Sequence, residues 1–184
     1  LFCQILLKIL LDKTMDSLII KTDLLHYAQL RTYHTSIIHN IATGSILQIS
    51  GDVSSGDLNI PNRQLKGNMV TIMASLNVLH QANEGIINNL AAESEEIKQM
   101  LFEKDIKVIG NADEPQDTKT EYITNLQHAD LLAHPIRMLN NLDLIISPKG
   151  TRAFQFIVKN GVNDFLAKNE KIMQAFQDSV NSQK

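Results

Sequence analysis

The chain has 184 residues, 43% of them hydrophobic and 20% charged, a balance that argues against wholesale disorder and against a membrane-embedded protein. A net charge of −3, from 17 basic and 20 acidic side chains, excludes a broad positive field and so excludes nucleic-acid binding through the whole surface, though not through a local basic patch. Cys3 is the only cysteine, which rules out an internal disulfide framework, a multi-cysteine zinc site and a CxxC redox pair.

One ordinary core fits this length, and a domain of this size buries roughly 70% of the surface its unfolded chain exposes. The opening run from Leu1 to Leu11 is apolar but lacks a basic start, is interrupted by Lys8 and precedes no small-residue cleavage site, so it does not read as a secretion signal. It is also shorter than the roughly 20 apolar residues of a bilayer span. Residues 1–14 are therefore read as an N-terminal extension, non-native or flexible, ahead of a single helical domain over 15–184, and the expected location is the cytoplasm.

Ser17 to Thr22 is short and rich in β-branched residues, which permits a strand over 17–22, with an uninterrupted helix from residue 4 as the alternative. A helix is predicted from Leu24, carried by Leu24, Leu25, Ala28, Leu30, Ile37, Ile38 and Ile41 and stopped by Gly44. Ile46, Leu47 and Ile49 suggest a strand over 46–50 opening into a loop through Ser55-Gly56-Asp57, and Pro61 should prevent a regular helix before Gln64.

The clearest periodicity joins Met69, Met73, Leu76, His80, Asn83, Ile87, Leu90, Ser94, Ile97 and Leu101 in alternating steps of four and three, broadened by Ile72, Leu79, Ile86 and Met100. It predicts one long amphipathic helix, about 50 Å at 1.5 Å per residue, capped by Asn68 and reaching about residue 104. Gly85 should cost that helix about 1 kcal/mol relative to alanine. Next come a short strand over 105–109, an exposed loop from Asn111 to Lys119 containing Pro115, and a helical region from Tyr122 to Ile146 kinked or divided at Pro135. A turn at Ser147-Pro148-Lys149-Gly150 precedes a last helix that breaks near Asn160-Gly161. The fold class is thus mainly α, a helical bundle with one long helix and a few short strands.

Six histidines raise the question of a metal, but their intervals of 8, 5, 41, 48 and 6 residues never place two of them three or four apart on one helical face. His80 and Glu84 form the one i, i+4 pair, and a half-buried structural histidine explains it. His128, Asp130 and His134 cluster ahead of Pro135, yet residues two apart on a helix do not face each other. Gly51 to Gly56 lacks the lysine of a P-loop. Ser147 to Arg152 places two cations and several backbone donors at a helix start, where an anion could sit, although a capped, solvated turn accounts for it as well. No catalytic, cofactor-binding or metal-binding residue is assigned.

From these absences the expected function is that of a non-catalytic helical scaffold or adaptor that meets a protein partner or a second copy of itself, with no membrane span. The rival is a DNA-associated regulator or mobile-element accessory protein using Arg63, Lys66, Lys149 and Arg152 as contacts for anions or nucleic acid. An enzyme working at the His128–His134 kink ranks below both.

Overall fold

A computed structural model describes residues 2–55, 61–113 and 120–182, apart from the side chains at positions 2, 51–55, 61–63 and 142. It is 82% helical with one small sheet, so the mainly α class holds. The predicted loop residues Gly56, Asp57 and Pro115 lie outside the described residues.

The first helix, α1, runs from Phe2 to Ser55 without interruption, 54 residues or about 80 Å. The strands expected over 17–22 and 46–50 are helix instead, and the chain passes through Gly44. No proline precedes Pro61, so nothing in the backbone forbids this continuity. Its buried face is Leu24, Ala28, Arg31, Thr35, Ile38, Ala42, Ser45 and Ile49, eight positions in unbroken steps of four and three. Gly44 stands on the exposed side between two of these, where a missing side chain costs about 1 kcal/mol against alanine and burial on the other side holds the helix.

The second helix, α2, runs from Pro61 to Asn89. Pro61 opens this helix rather than preventing it, because the first helical N–H has no partner to lose. Leu65, Met69, Ile72, Leu76, Leu79, Asn83, Ile86 and Leu90 are buried, again in steps of four and three. The two stripes face each other antiparallel. Ile49 and Leu65 share the core cluster at one end, and Leu24 packs with Ile86 and Leu90 at the other. Polar contacts follow the same register: Asn68 Nδ2 donates to Ser45 Oγ at 3.2 Å, and Gln48 Nε2 to Gln64 Oε1 at 3.4 Å.

The predicted helix to residue 104 is corrected by a break. After Asn89 the chain makes a 3-10 turn at Leu90–Ala92, and Glu93 is extended at φ −99°, ψ 162°. Ser94 then caps a separate helix, α3 (Glu95–Phe102), its hydroxyl accepting from Ile97 N at 3.4 Å, with Glu95 and Glu96 in the first turn. A serine followed by two acids is a helix start in the middle of the predicted stripe. The buried phase of α2 also differs from the predicted stripe: Ile72 and Ile86 are fully buried while Ile87 is 53% exposed and Met73 and His80 are only half-buried.

Gly85 is where the ring of Tyr27 crosses α2. A Cβ there would stand 2.5 Å from Tyr27 Cε2 and Cζ. Gly85→Ala is therefore expected to lower stability by about 1 kcal/mol, overpacking outweighing the helix propensity it gains. In a Tyr27→Ala background the same substitution should instead raise stability by about 1 kcal/mol. Urea denaturation of the four proteins of this cycle checks both signs.

The remaining chain covers the hairpin. Strand β1 (Ile106–Ile109) fulfils the expectation over 105–109 and pairs antiparallel with β2 (Thr120–Ile123), Ile106 opposite Ile123 and Ile109 opposite Thr120. The sheet packs through Ile106 and Val108 on Phe156 and Phe165. The helix predicted over 122–146 is corrected at its start, where Tyr122 and Ile123 belong to β2 and helix begins only at His128; the rest is divided into α4 (His128–Met138) and α5 (Leu142–Ile145), separated at Leu139–Asn141, with Pro135 inside α4. The last two helices, α6 (Pro148–Gly161) and α7 (Asn163–Asn181), meet at Val162, beside the expected Asn160–Gly161 break.

Candidate functional site

The residues singled out by spacing disperse in three dimensions. His128 is buried, with Nε2 2.9 Å from the Asn160 carbonyl, to which it donates. Asp130 points away to the surface, 3.7 Å from His80 Nδ1. His134 is exposed and reaches Asp113 Oδ2 at 2.9 Å. The three residues of the kink therefore face three different neighbours. Among the described residues no three His, Cys, Asp or Glu side chains come together as a metal site.

Lys66 and Lys149 are exposed and Arg152 is half-buried. Leu65 and Ala153, beside Lys66 and Arg152, belong to one core cluster. The side chain of Arg63 lies outside the described residues. At the start of α6 two backbone donors are already engaged: Gly150 N donates to Ser147 Oγ at 3.2 Å and Thr151 N to Ser147 O at 3.0 Å. Gly150 itself is dictated by a close approach, since a Cβ there would enter the Leu144 and Ile145 carbonyls. The capped-turn reading of this segment accounts for both.

Spacing gave no notice of the polar centre of the molecule. Arg31, on the inner face of α1, is 1% exposed. Its guanidinium donates to Asn125 Oδ1, to the Asn125 carbonyl and, at 3.3 Å, to Asn169 Oδ1. Asn169 Nδ2 returns to α1, donating to the Ala28 carbonyl at 2.9 Å and Thr32 Oγ1 at 2.8 Å. Burial pushes Arg31 down from 12.5 to about 9, so it remains a cation at neutral pH, bound by neutral oxygens. Phe165 joins this centre to His128: the imidazole stacks on its ring at 3.8 Å and 9°, and Arg31 Cζ lies 5.2 Å from the ring centroid. Burial, aided by the nearby Arg31 charge, holds His128 down to about 3. The one available signal was a pattern of polar residues at core phase, with Arg31 and Thr35 in heptad step with Leu24 and Ile38. Other side chains line the clefts around Met69, Glu93, His80 and His134, and the arrangement ties α1, the β2–α4 turn and α7 together.

Among the open surface features of the described residues, three bear on function. A groove of about 910 Å³ runs between α2 and the α4–α5 junction, floored by Met69, Met73, Leu139 and Ile145 and rimmed by Lys66 and Asp143. A smaller cleft of about 360 Å³ lies between α2, α3 and the start of α4, around His80, Asn83, Glu84 and Asp130. The third feature is the arm of α1: from Cys3 to Asp16 every residue is exposed, including Ile5, Leu6, Leu7, Ile9, Leu10, Leu11 and Met15. Among the described residues no helix is long and apolar enough to cross a membrane. Comparison with known protein families, curated proteins and solved structures finds no match.

Proposed function

We propose that the protein is a non-catalytic helical scaffold that works by protein–protein contact, and that the arm of α1 is its contact surface, paired with the arms of further copies. The observation that carries this reading is the exposure of Ile5, Leu6, Leu7, Ile9, Leu10, Leu11, Met15 and Ile19, each between 48 and 68% accessible. A contiguous apolar surface of this kind marks an interaction site, and a bare helix segment of this length has little stability in water unless something packs on it. Lys8, Asp12 and Asp16 recur every four residues along one edge, which gives the arm a solvated side. That ladder suits a helix in a bundle of protein helices, where one side stays wet, better than a helix immersed in lipid.

Sedimentation equilibrium over a range of concentrations tests the proposal. The parent protein is expected to associate, and a Leu7→Glu/Leu11→Glu variant to be monomeric with an unchanged melting temperature, because Leu7 and Leu11 are 68 and 63% exposed. A monomeric parent that co-sediments with phosphatidylglycerol vesicles would overturn the reading in favour of a lipid surface. A monomeric parent whose binding to duplex DNA weakens steeply with salt, and is lost on replacing Lys66, Lys149 and Arg152 by alanine, would favour the nucleic-acid alternative.

A further inference from the structure

The cleft between α2, α3 and the start of α4 has an uneven complement of polar groups. Asn83 is 8% exposed and lines it. Its Nδ2 donates to the Leu126 carbonyl at 2.8 Å, which fixes the amide orientation and leaves Oδ1 buried with no hydrogen-bond partner. His80 Nε2 is likewise buried and unpartnered, while its Nδ1 faces Asp130 Oδ1 at 3.7 Å. Glu84, one turn beyond His80, and Asp130 add two carboxylates, Thr124 and Gln127 add a hydroxyl and an amide, and no lysine or arginine contributes to the lining. Ile87 and Phe102 stand beside them with 53 and 55% of their surfaces exposed.

The cleft thus carries two carboxylates and an unpaired, buried amide oxygen with no cation in its lining, next to an apolar shelf. A buried amide oxygen left unpaired is costly, and native structures seldom keep one without a use. The complementary ligand carries positive charge, several N–H donors and a short hydrocarbon stem. An inorganic cation lacks the stem, and an anion meets two carboxylates.

We propose that this cleft binds an organic ammonium group, its N–H donors taken up by Asn83 Oδ1, Glu84 and Asp130 and its alkyl stem lying on Ile87 and Phe102. The volume of about 360 Å³ falls within the range of small-ligand pockets and accepts a short alkylamine. The same chemistry is presented by a free amine and by the lysine side chain of another protein. The site is independent of the arm of α1 and stands whether or not the arm associates.

Isothermal titration of the full chain with n-pentylamine, followed by two-dimensional amide NMR, tests the proposal. Binding is expected, with shift changes centred on residues 80–87 and 124–130. Pentan-1-ol, which lacks the charge, and pentyltrimethylammonium, which lacks the donors, should bind at least about tenfold more weakly. Asp130→Asn and Glu84→Gln, both at exposed positions, should each weaken pentylamine by about tenfold while leaving the fold intact. A blocked lysine tripeptide separates the sources: tighter binding than pentylamine assigns the site to a partner's lysine, and weaker binding assigns it to a free amine. Equal binding of pentylamine and pentanol, shift changes elsewhere, or unchanged affinity in both carboxylate variants would overturn the proposal.

Discussion

Arg31→Ala is expected to be the most destabilising single substitution in the protein, lowering the unfolding free energy by roughly 3–5 kcal/mol. It removes the donor from Asn125 Oδ1, the Asn125 carbonyl and Asn169 Oδ1, all within a region where Asn125 and Asn169 are fully buried. Each orphaned acceptor costs about 1–3 kcal/mol, and the truncated side chain leaves a void between α1 and α7. Relief of the buried charge offsets part of that total. Against a typical stability of about 5–15 kcal/mol, such a loss is visible as a large drop in urea midpoint.

A second variant fixes the interpretation. Asn125 Nδ2 has no hydrogen-bond partner, so Asn125→Asp exchanges an unsatisfied donor for a carboxylate oxygen beside a buried cation. It is expected to be tolerated or to raise the midpoint. Strong destabilisation by Asn125→Asp together with a neutral Arg31→Ala would show that the guanidinium is not the organising charge of the core.

Acid is expected to unfold the protein through His128. Its pKa is 6.5 in an unfolded chain and is held at about 3 in the folded one, burial being the main cause and the Arg31 charge a lesser one. The unfolded state therefore binds the extra proton first. The stability tied to the neutral imidazole is complete above pH 6.5 and is lost as pH falls towards 3, at about 1.4 kcal/mol per pH unit. Between pH 6.5 and pH 5 the parent should lose roughly 2 kcal/mol relative to His128→Phe, which keeps a ring on Phe165 but cannot be protonated. Urea midpoints at half-unit intervals measure the difference directly. Parallel curves for the two proteins would mean that the imidazole reaches water when charged and that the stack on Phe165 opens.

These two residues also mark the limit of what spacing reveals. In α2 the buried positions are mostly Leu, Ile and Met, and the helix was legible from its stripe even though its phase was not. In α1 the buried stripe contains Ala28, Arg31, Thr35, Ala42 and Ser45, residues that carry little or no apolar signal. Several large apolar residues of the same helix, among them Leu47 and Ile5, Leu6, Leu7, Ile9, Leu10 and Leu11, are exposed. A reading that follows hydrophobicity therefore cut one 54-residue helix into strand, helix and strand.

The candidate cleft was half legible. His80 and Glu84 stood out as an i, i+4 pair, and Asp130 as part of a cluster about 50 residues away, but their meeting depends on how α4 packs on α2. Asn83 looked like one more position of the core stripe; its unpaired oxygen exists only because the Leu126 carbonyl takes its other end. The kink cluster was the converse case, near in sequence and divided by the fold, because burial drew His128 inward while its neighbours stayed in water.

By itself the sequence determined the mainly helical class, the strand near 105–109 and the break near Asn160–Gly161, since apolar period, β-branching and glycine act over a few residues. The tertiary structure alone decided the rest. It carried α1 through Gly44, set the buried phase of α2, and put Arg31 in the core. The reason is that local preferences are worth about 1 kcal/mol per residue or less, whereas burial along a helix hairpin sums over many side chains and can override each of them.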